Sequence, residues 1–175
     1  MFHRYLDVAA IPPKGKFLRI EADEAERNDL AERFGLEDVK SFSGEVSVTP
    51  LPKGENFVLE GKYEAEIVQI CVISLQPFGC SVKGCVSRRY GPPPPGEEDV
   101  EVLVEMDEED PPEPLDEGRI DAAEALAEEF GIALDPFPKS PEAQFDGYQV
   151  GSDESEAEDA GPFAALAALK DKMKE

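Results

Sequence analysis

The chain has 175 residues, of which 40 are acidic and 17 basic, so its formal net charge is −23 at pH 7. Proteins that bind folded RNA directly use clusters of Lys and Arg to displace counterions, so this balance argues against a nucleic-acid reader and favours a cationic partner. No apolar run reaches the 18 residues of a membrane-spanning helix, and three unevenly spaced cysteines predict reduced thiols in a cytoplasmic protein.

The N-terminal region predicts two short strands followed by a helix. The strands cover residues 4–8 and 17–20, and the prolines between them prevent one continuous ladder. Asp23 and Glu26 have the spacing of a capping box at the start of the helix. Gly35 marks its end, because glycine readily adopts the left-handed conformation found there.

The middle of the chain predicts strands. Residues 42–48 alternate between apolar and polar, which is typical of a half-buried strand, and a turn follows at 50–56. Residues 67–75 are rich in β-branched side chains and predict a central strand covered on both faces. A turn is predicted at residues 77–79, and residues 80–89 are expected to pair back.

The last third predicts one helix set among acidic segments. Residues 97–117 contain twelve acids and no base and predict a hydrated loop. Asp121 is the expected N-cap of a second helix, which ends near Leu134 because Asp135 precedes a proline. An acidic, largely disordered linker is predicted over residues 139–161.

Residues 162–175 predict a short amphipathic helix with lysines at its C-terminal end. This helix either packs on its own domain or docks into the groove of a partner. Its predicted docking side chains are Phe163, Leu166, Leu169 and Lys170.

These elements predict an α+β fold. A curved antiparallel sheet, partly open and barrel-like, is expected to pack against two helices within a single domain over residues 1–138, with acidic loops and a short C-terminal helix.

No catalytic residue, metal site or cofactor is expected. Cys71, Cys80 and Cys85 lack the paired spacing of zinc ligands and are read as small apolar or strand residues. The single histidine, His3, has no nucleophile signature beside it. The sequence therefore predicts neither an enzyme nor a binder of small-molecule substrates.

One small basic patch has two interpretations. The favoured one is that its cations pair with nearby acids of the same chain. The alternative is a local RNA contact, because a cation pair beside an aromatic ring is the arrangement that stacks on nucleic acid. The residues of this patch are Arg88, Arg89 and Tyr90.

Several segments resemble the YceD family, the large ribosomal RNA subunit accumulation proteins. They occur in the family's order over roughly residues 15–172, and the first helix, with its Glu26-Arg27 and Leu30-Ala31 pairs, is similar to alphaproteobacterial members. The segments are VQICVISLQP at 68–77, GRID at 118–121, ALDPFPK at 133–139 and PFAALAALK at 162–170. Where many members carry a C-x-x-C pair, this chain has Cys71 and Ser74.

The resemblance implies a role in accumulation of large-subunit ribosomal RNA, and the family is linked to a large-subunit ribosomal protein by gene neighbourhood. Joined to the charge of −23, it predicts a non-catalytic assembly factor. The expected partner is a basic ribosomal protein or a large-subunit assembly intermediate, with RNA contacted indirectly or only locally and no membrane contact.

Overall fold

The computed structural model describes residues 2–52, 56–92 and 111–144, which form an α+β fold. A five-stranded sheet has the order β2-β3-β4-β5-β6 and is not closed into a barrel, and a two-stranded sheet joins β1 to β7. The elements are β1 (Tyr5–Asp7), a 3-10 turn (Val8–Ala10), β2 (Lys16–Glu21), α1 (Glu24–Phe34), β3 (Asp38–Pro50), β4 (Phe57–Ile70), β5 (Pro77–Gly91), β6 (Glu113–Pro114), β7 (Arg119–Asp121) and α2 (Ala122–Ala133).

The α+β class and the packing of two helices on a curved sheet are confirmed. The strands β2 to β5 are antiparallel, as the alternating patterns predict. The sheet as a whole is mixed, however, because β6 runs parallel to the end of β5 through Tyr90 and Glu113.

The sheet packs closely against α2 because Tyr63 on β4 is paired with a glycine on each neighbouring strand. Tyr63 lies between Gly44 on β3 and Gly84 on β5. A Cβ atom at Gly44 would collide with Leu126 of α2, and one at Gly84 would collide with the Tyr63 ring. The small residues therefore let the Tyr63 ring cross β5, where its hydroxyl donates to the Glu129 carbonyl at 3.1 Å.

The core beneath α2 is built on aromatic rings in edge-to-face contact, which is their preferred arrangement. Phe130 lies 5.4 Å from Phe42 and 6.2 Å from Tyr63 between ring centroids. Phe34 of α1 packs against the same Phe130 ring at 5.4 Å. The two helices thus share one apolar core with the sheet.

Both helix starts are capped as predicted. Asp23 and Glu26 form the capping box of α1, and Gly35 ends the helix at φ 64°. Asp121 accepts hydrogen bonds from the backbone N–H groups of Ala123 and Glu124 at the start of α2.

The sequence interpretation of the central apolar run is wrong. The predicted strand over residues 67–75 ends at Ile70, residues 71–76 form the turn, and β5 already begins at Pro77, within the predicted turn at 77–79. Ile67 and Cys71 are buried, whereas Ile70 and Val72 are exposed, so the run is covered on one face only. Leu75, with φ 56°, has the left-handed conformation that helps to reverse the chain.

Other predictions fall outside the described residues. They concern residues 97–110 of the acidic loop, residues 145–161 of the linker and the helix over residues 162–175. The single domain over residues 1–138 stays a prediction. Among the described residues, no helix is long and apolar enough to span a membrane.

Candidate functional site

The structure describes one of the two sets of residues predicted to contact a partner. The docking residues of the C-terminal helix lie outside the described part of the chain and stay a prediction; they are Phe163, Leu166, Leu169 and Lys170. The basic patch, in contrast, is described in full on the second half of β5.

Arg88 is enclosed by carboxylates. Its side chain is only 14% exposed and forms ion pairs with Glu128, Glu129 and Glu113, the latter two at 3.1 and 3.5 Å. Burial alone would lower the pKa of Arg88, but its bonds to Glu128 and Glu129 outweigh that effect and raise the pKa. The guanidinium thus has partners on both α2 and β6, which is the intramolecular pairing that the sequence favoured over an RNA contact.

The three residues of the basic patch do not share a face. Tyr90 is buried like Arg88, and this burial, followed by the charge of Glu113, raises the pKa of its hydroxyl. Arg89 is exposed and points to the opposite side of the sheet, as expected from the alternation along a strand. Contact of these residues with RNA stays a prediction.

The three cysteines differ in environment. Cys71 is buried, Cys80 is partly buried and Cys85 is exposed. The part of the chain that the structure describes contains no group of three or more side chains that could hold a metal ion.

Cys71 joins two distant segments. Its sulfur accepts hydrogen bonds from the backbone N–H groups of Ser74, at 3.4 Å, and of Ser140, at 3.3 Å. The bonds from Ser74, followed by the one from Ser140, lower the pKa of the Cys71 thiol from 9.0 to about 7. Next to this sulfur, the Val72 N–H donates to the Pro138 carbonyl at 2.9 Å. These bonds fix the β4–β5 turn against the chain that follows α2.

We call the surface made by residues 70–78 and 137–143 the hairpin end. Within it, the Cys71 N–H donates to the Gln76 carbonyl and the Leu75 N–H donates to the Cys71 carbonyl, both at 2.9 Å. The turn is therefore held by its own backbone as well as by the segment after α2, and its side chains are presented on a fixed frame.

Leu75 is an unusual residue for its position. Its φ is 56°, in the region where glycine and asparagine are favoured, and 72% of its surface is exposed. A non-glycine residue held in this conformation costs on the order of 1 kcal/mol. Since the exposed side chain returns little burial energy, the fold gains nothing from a leucine here.

The hairpin end carries further exposed apolar side chains. Ile70 and Val72 are also exposed, and Phe137, which adjoins Pro138, is 69% exposed. Beside them lies a groove of about 480 Å³ between the start of β5 and residues 140–143. Exposed apolar surface of this kind is typical of interaction sites.

Acidic side chains border this apolar surface. Glu142 lines the groove, and Asp135 accepts a hydrogen bond from the Phe137 N–H at 2.9 Å. Asp38 pairs with Val68 at the neighbouring strand end. Lys139 lies within the hairpin end and is its one base. The hairpin end therefore combines exposed apolar groups with one acid and one base, and Asp135 and Asp38 add negative charge at its border.

A family model described as "Large ribosomal RNA subunit accumulation protein YceD" matches residues 59–170, nearly two thirds of the chain. The chain belongs to this family. Its membership supports a role in accumulation of large-subunit ribosomal RNA, and the match includes β5, α2 and the whole hairpin end. No curated protein and no solved structure matches the chain.

Sequence reasoning missed the hairpin end. It read Val72 and Leu75 as parts of a buried strand and gave Phe137 no role. Two of the segments that resemble the family, residues 68–77 and 133–139, meet here through the bond between Val72 and Pro138. The only sequence signal for this surface was that both segments resemble the family, since their positions along the chain do not show that they are in contact.

Proposed function

We propose that the protein is a non-catalytic, cytoplasmic assembly factor that promotes accumulation of large-subunit ribosomal RNA by binding a basic ribosomal protein or another basic assembly partner. The observation that carries this proposal is the net charge of −23 in a member of the YceD family. A surface of this sign repels phosphate and attracts cationic polypeptide.

The acidic excess extends to the folded part of the chain. The described ranges contain 22 acids and 13 bases, and the remaining residues contain 18 acids and four bases. The repulsion of polynucleotide is therefore a property of the described domain as well as of the rest of the chain.

Many of the bases in the domain are already neutralised by ion pairs. Within the residues that the structure describes, at least six lie within 4.0 Å of a carboxylate: Arg4, Arg33, Lys62, Lys83, Arg88 and Arg119. A base that is paired within the protein must lose that partner before it can bind phosphate. This engagement supports a protein partner over direct binding of RNA.

The mechanism that we propose has two stages. Complementary charge first accelerates the encounter with the basic partner, and this steering weakens as the screening length falls from about 10 Å at 0.1 M salt to about 3 Å at 1 M. Apolar side chains of the C-terminal segment, chiefly Phe163, Leu166 and Leu169, then anchor the complex.

A cellular measurement tests the role, and a binding measurement tests the anchor. Cells without the protein are expected to contain less large-subunit relative to small-subunit ribosomal RNA, and the intact chain is expected to restore the ratio. An unchanged ratio would overturn the proposed role.

For binding, the full chain should retain proteins extracted from purified large subunits better than a version that ends at Gly151. Equal retention would remove the C-terminal segment from the mechanism.

The second candidate is direct contact with ribosomal RNA through the basic patch. The exposure of Arg89 on the solvent side of β5 favours it. Arg89→Ala tests this candidate better than a change at Arg88, whose ion pairs serve the fold. Loss of crosslinking to ribosomal RNA in Arg89→Ala would favour the direct contact, and unchanged crosslinking would reject it.

A further inference from the structure

We propose that the hairpin end binds a segment of the basic partner in which a Lys or Arg enters the groove beside Glu142 and an adjacent apolar side chain covers Leu75. This inference rests on the proposed function, because it locates the contact for that partner on the described domain. It adds a second contact to the one expected from the C-terminal segment.

The groove has the chemistry that a long basic side chain requires. Pro77, Phe78 and Pro141 line it with apolar surface, and Glu142 is a carboxylate in the same lining. Lys and Arg side chains lay their methylene stems on apolar surface and keep the charged head at a polar group. A volume of about 480 Å³ admits such a side chain.

The conformation of Leu75 indicates that its exposed side chain has a use. The backbone at φ 56° would be more stable with Asn or Gly. A strained residue that contributes little to packing is reasonably connected with function. Leu75 follows Ser74, which lines the groove, so an apolar side chain and a basic side chain of one segment reach both features together.

The frame of the surface is fixed before a partner arrives. Two bonds to the Cys71 sulfur and the bond from Val72 to Pro138 join the turn to the chain after α2. A surface ordered in advance loses less conformational entropy on binding, which favours affinity.

The charges select among possible occupants. Glu142, Asp135 and Asp38 outnumber Lys139 at this surface, so its net charge would repel the phosphates of RNA and a second copy of this acidic chain. The same three carboxylates attract the Lys and Arg residues of a basic polypeptide. We therefore assign the surface to a basic protein segment, and both rejected occupants are outcomes of the test.

The test uses the full-length chain and, as the probe, the mixture of proteins extracted from purified large ribosomal subunits. Immobilised wild-type protein is compared with Leu75→Asn and Glu142→Gln for the amount of each ribosomal protein retained at physiological salt. Phe17→Thr is the matched control, since it removes a side chain that is 65% exposed on β2, away from the hairpin end. Thermal unfolding of each variant accompanies the binding measurement.

The expected result is that the wild type and Phe17→Thr retain the same basic protein, and that Leu75→Asn and Glu142→Gln each retain it about tenfold less, the usual effect of losing one central contact. Leu75→Asn should melt no lower than the wild type. Should Leu75→Asn fail to fold, Glu142→Gln decides alone, because its changed side chain is exposed.

Three results would overturn the inference. Equal retention by all four proteins would reject the hairpin end and leave the proposed function standing. Retention of no ribosomal protein by the wild type would reject both. Binding of bare ribosomal RNA, or self-association, that is lost in Leu75→Asn would assign the surface to a different occupant.

Discussion

The two halves of β5 lie in different environments although they belong to one strand. The second half is covered by α2, where Val86 and Tyr90 are buried and Arg88 bonds to Glu128 and Glu129. The first half begins at the hairpin end, where exposed and half-buried residues alternate from Pro77 to Cys85. The covered half stabilises the fold. The open half leads out of the hairpin end, where the exposed apolar groups and the backbone strain at Leu75 are not required for stability.

The largest expected effect is at Arg88, because its removal leaves carboxylates of α2 and β6 facing one another. Arg88→Met should lower the free energy of unfolding by about 2 kcal/mol, less than for a fully buried pair because the glutamates are partly hydrated. Urea unfolding measures the change. Lys83→Met breaks a solvent-exposed pair with Glu64 and should change the free energy of unfolding far less than Arg88→Met. Equal losses of unfolding free energy in the two variants would contradict the distinction between a covered and an open half of β5.

Two glycines of β5 make the next comparison. Gly84→Ala places a methyl group against the Tyr63 ring, which is held by its bond to Glu129, and should cost about 1–2 kcal/mol. At Gly79 the nearest atom to an added Cβ is 3.9 Å away, so Gly79→Ala should be neutral or slightly stabilising. Thermal unfolding of both variants checks the pair; a loss at Gly79 as large as at Gly84 would show that the open half is also tightly packed.

The pH dependence of stability tests the hydrogen bonds that the Cys71 sulfur accepts at the hairpin end. Hydrogen bonds from Ser74 and Ser140 lower the pKa of the Cys71 thiol from 9.0 to about 7 in the folded protein. An acid whose pKa is depressed by folding contributes stability that is present above pH 9 and lost as the pH falls through 7. The free energy of unfolding of the wild type should therefore rise between pH 7 and pH 9.

Substitution of the cysteines isolates this contribution. Cys71→Ala should show a smaller rise over the same interval, whereas Cys85→Ala, which removes an exposed thiol, should keep the wild-type slope. Urea unfolding at several pH values gives both slopes. An unchanged slope in Cys71→Ala would mean that the sulfur does not hold the turn as a thiolate.

The smallest effect on stability is expected at Leu75. Leu75→Asn relieves the left-handed strain and removes little buried surface, so the free energy of unfolding should stay the same or rise by up to about 1 kcal/mol. A clear loss of stability on thermal unfolding would show that Leu75 serves the fold, and the hairpin end would lose its distinguishing feature.

The sequence predicted the parts of the fold that local chemistry decides. Asp23 with Glu26, the glycine at 35 and the cap at Asp121 act through neighbouring backbone groups, and all three are confirmed. The alternation of apolar and polar residues predicted β3 for the same reason. A strand with one buried face places an apolar side chain at every second position.

The hairpin end could not be predicted because its partners are distant in the chain. Cys71 and Ser140 are 69 residues apart, and an apolar run such as 67–75 has the composition of a buried strand whether or not another layer covers it. The left-handed Leu75 likewise follows from the closure of the hairpin rather than from the preference of leucine.

The most direct test of the central claim is a competition at physiological salt between bare large-subunit ribosomal RNA and the proteins extracted from large subunits, each offered to the purified full-length chain. We expect the chain to retain a basic ribosomal protein, to release it as salt is raised, and to leave the bare RNA unbound. Tight binding of bare RNA in the absence of any other protein would contradict the account.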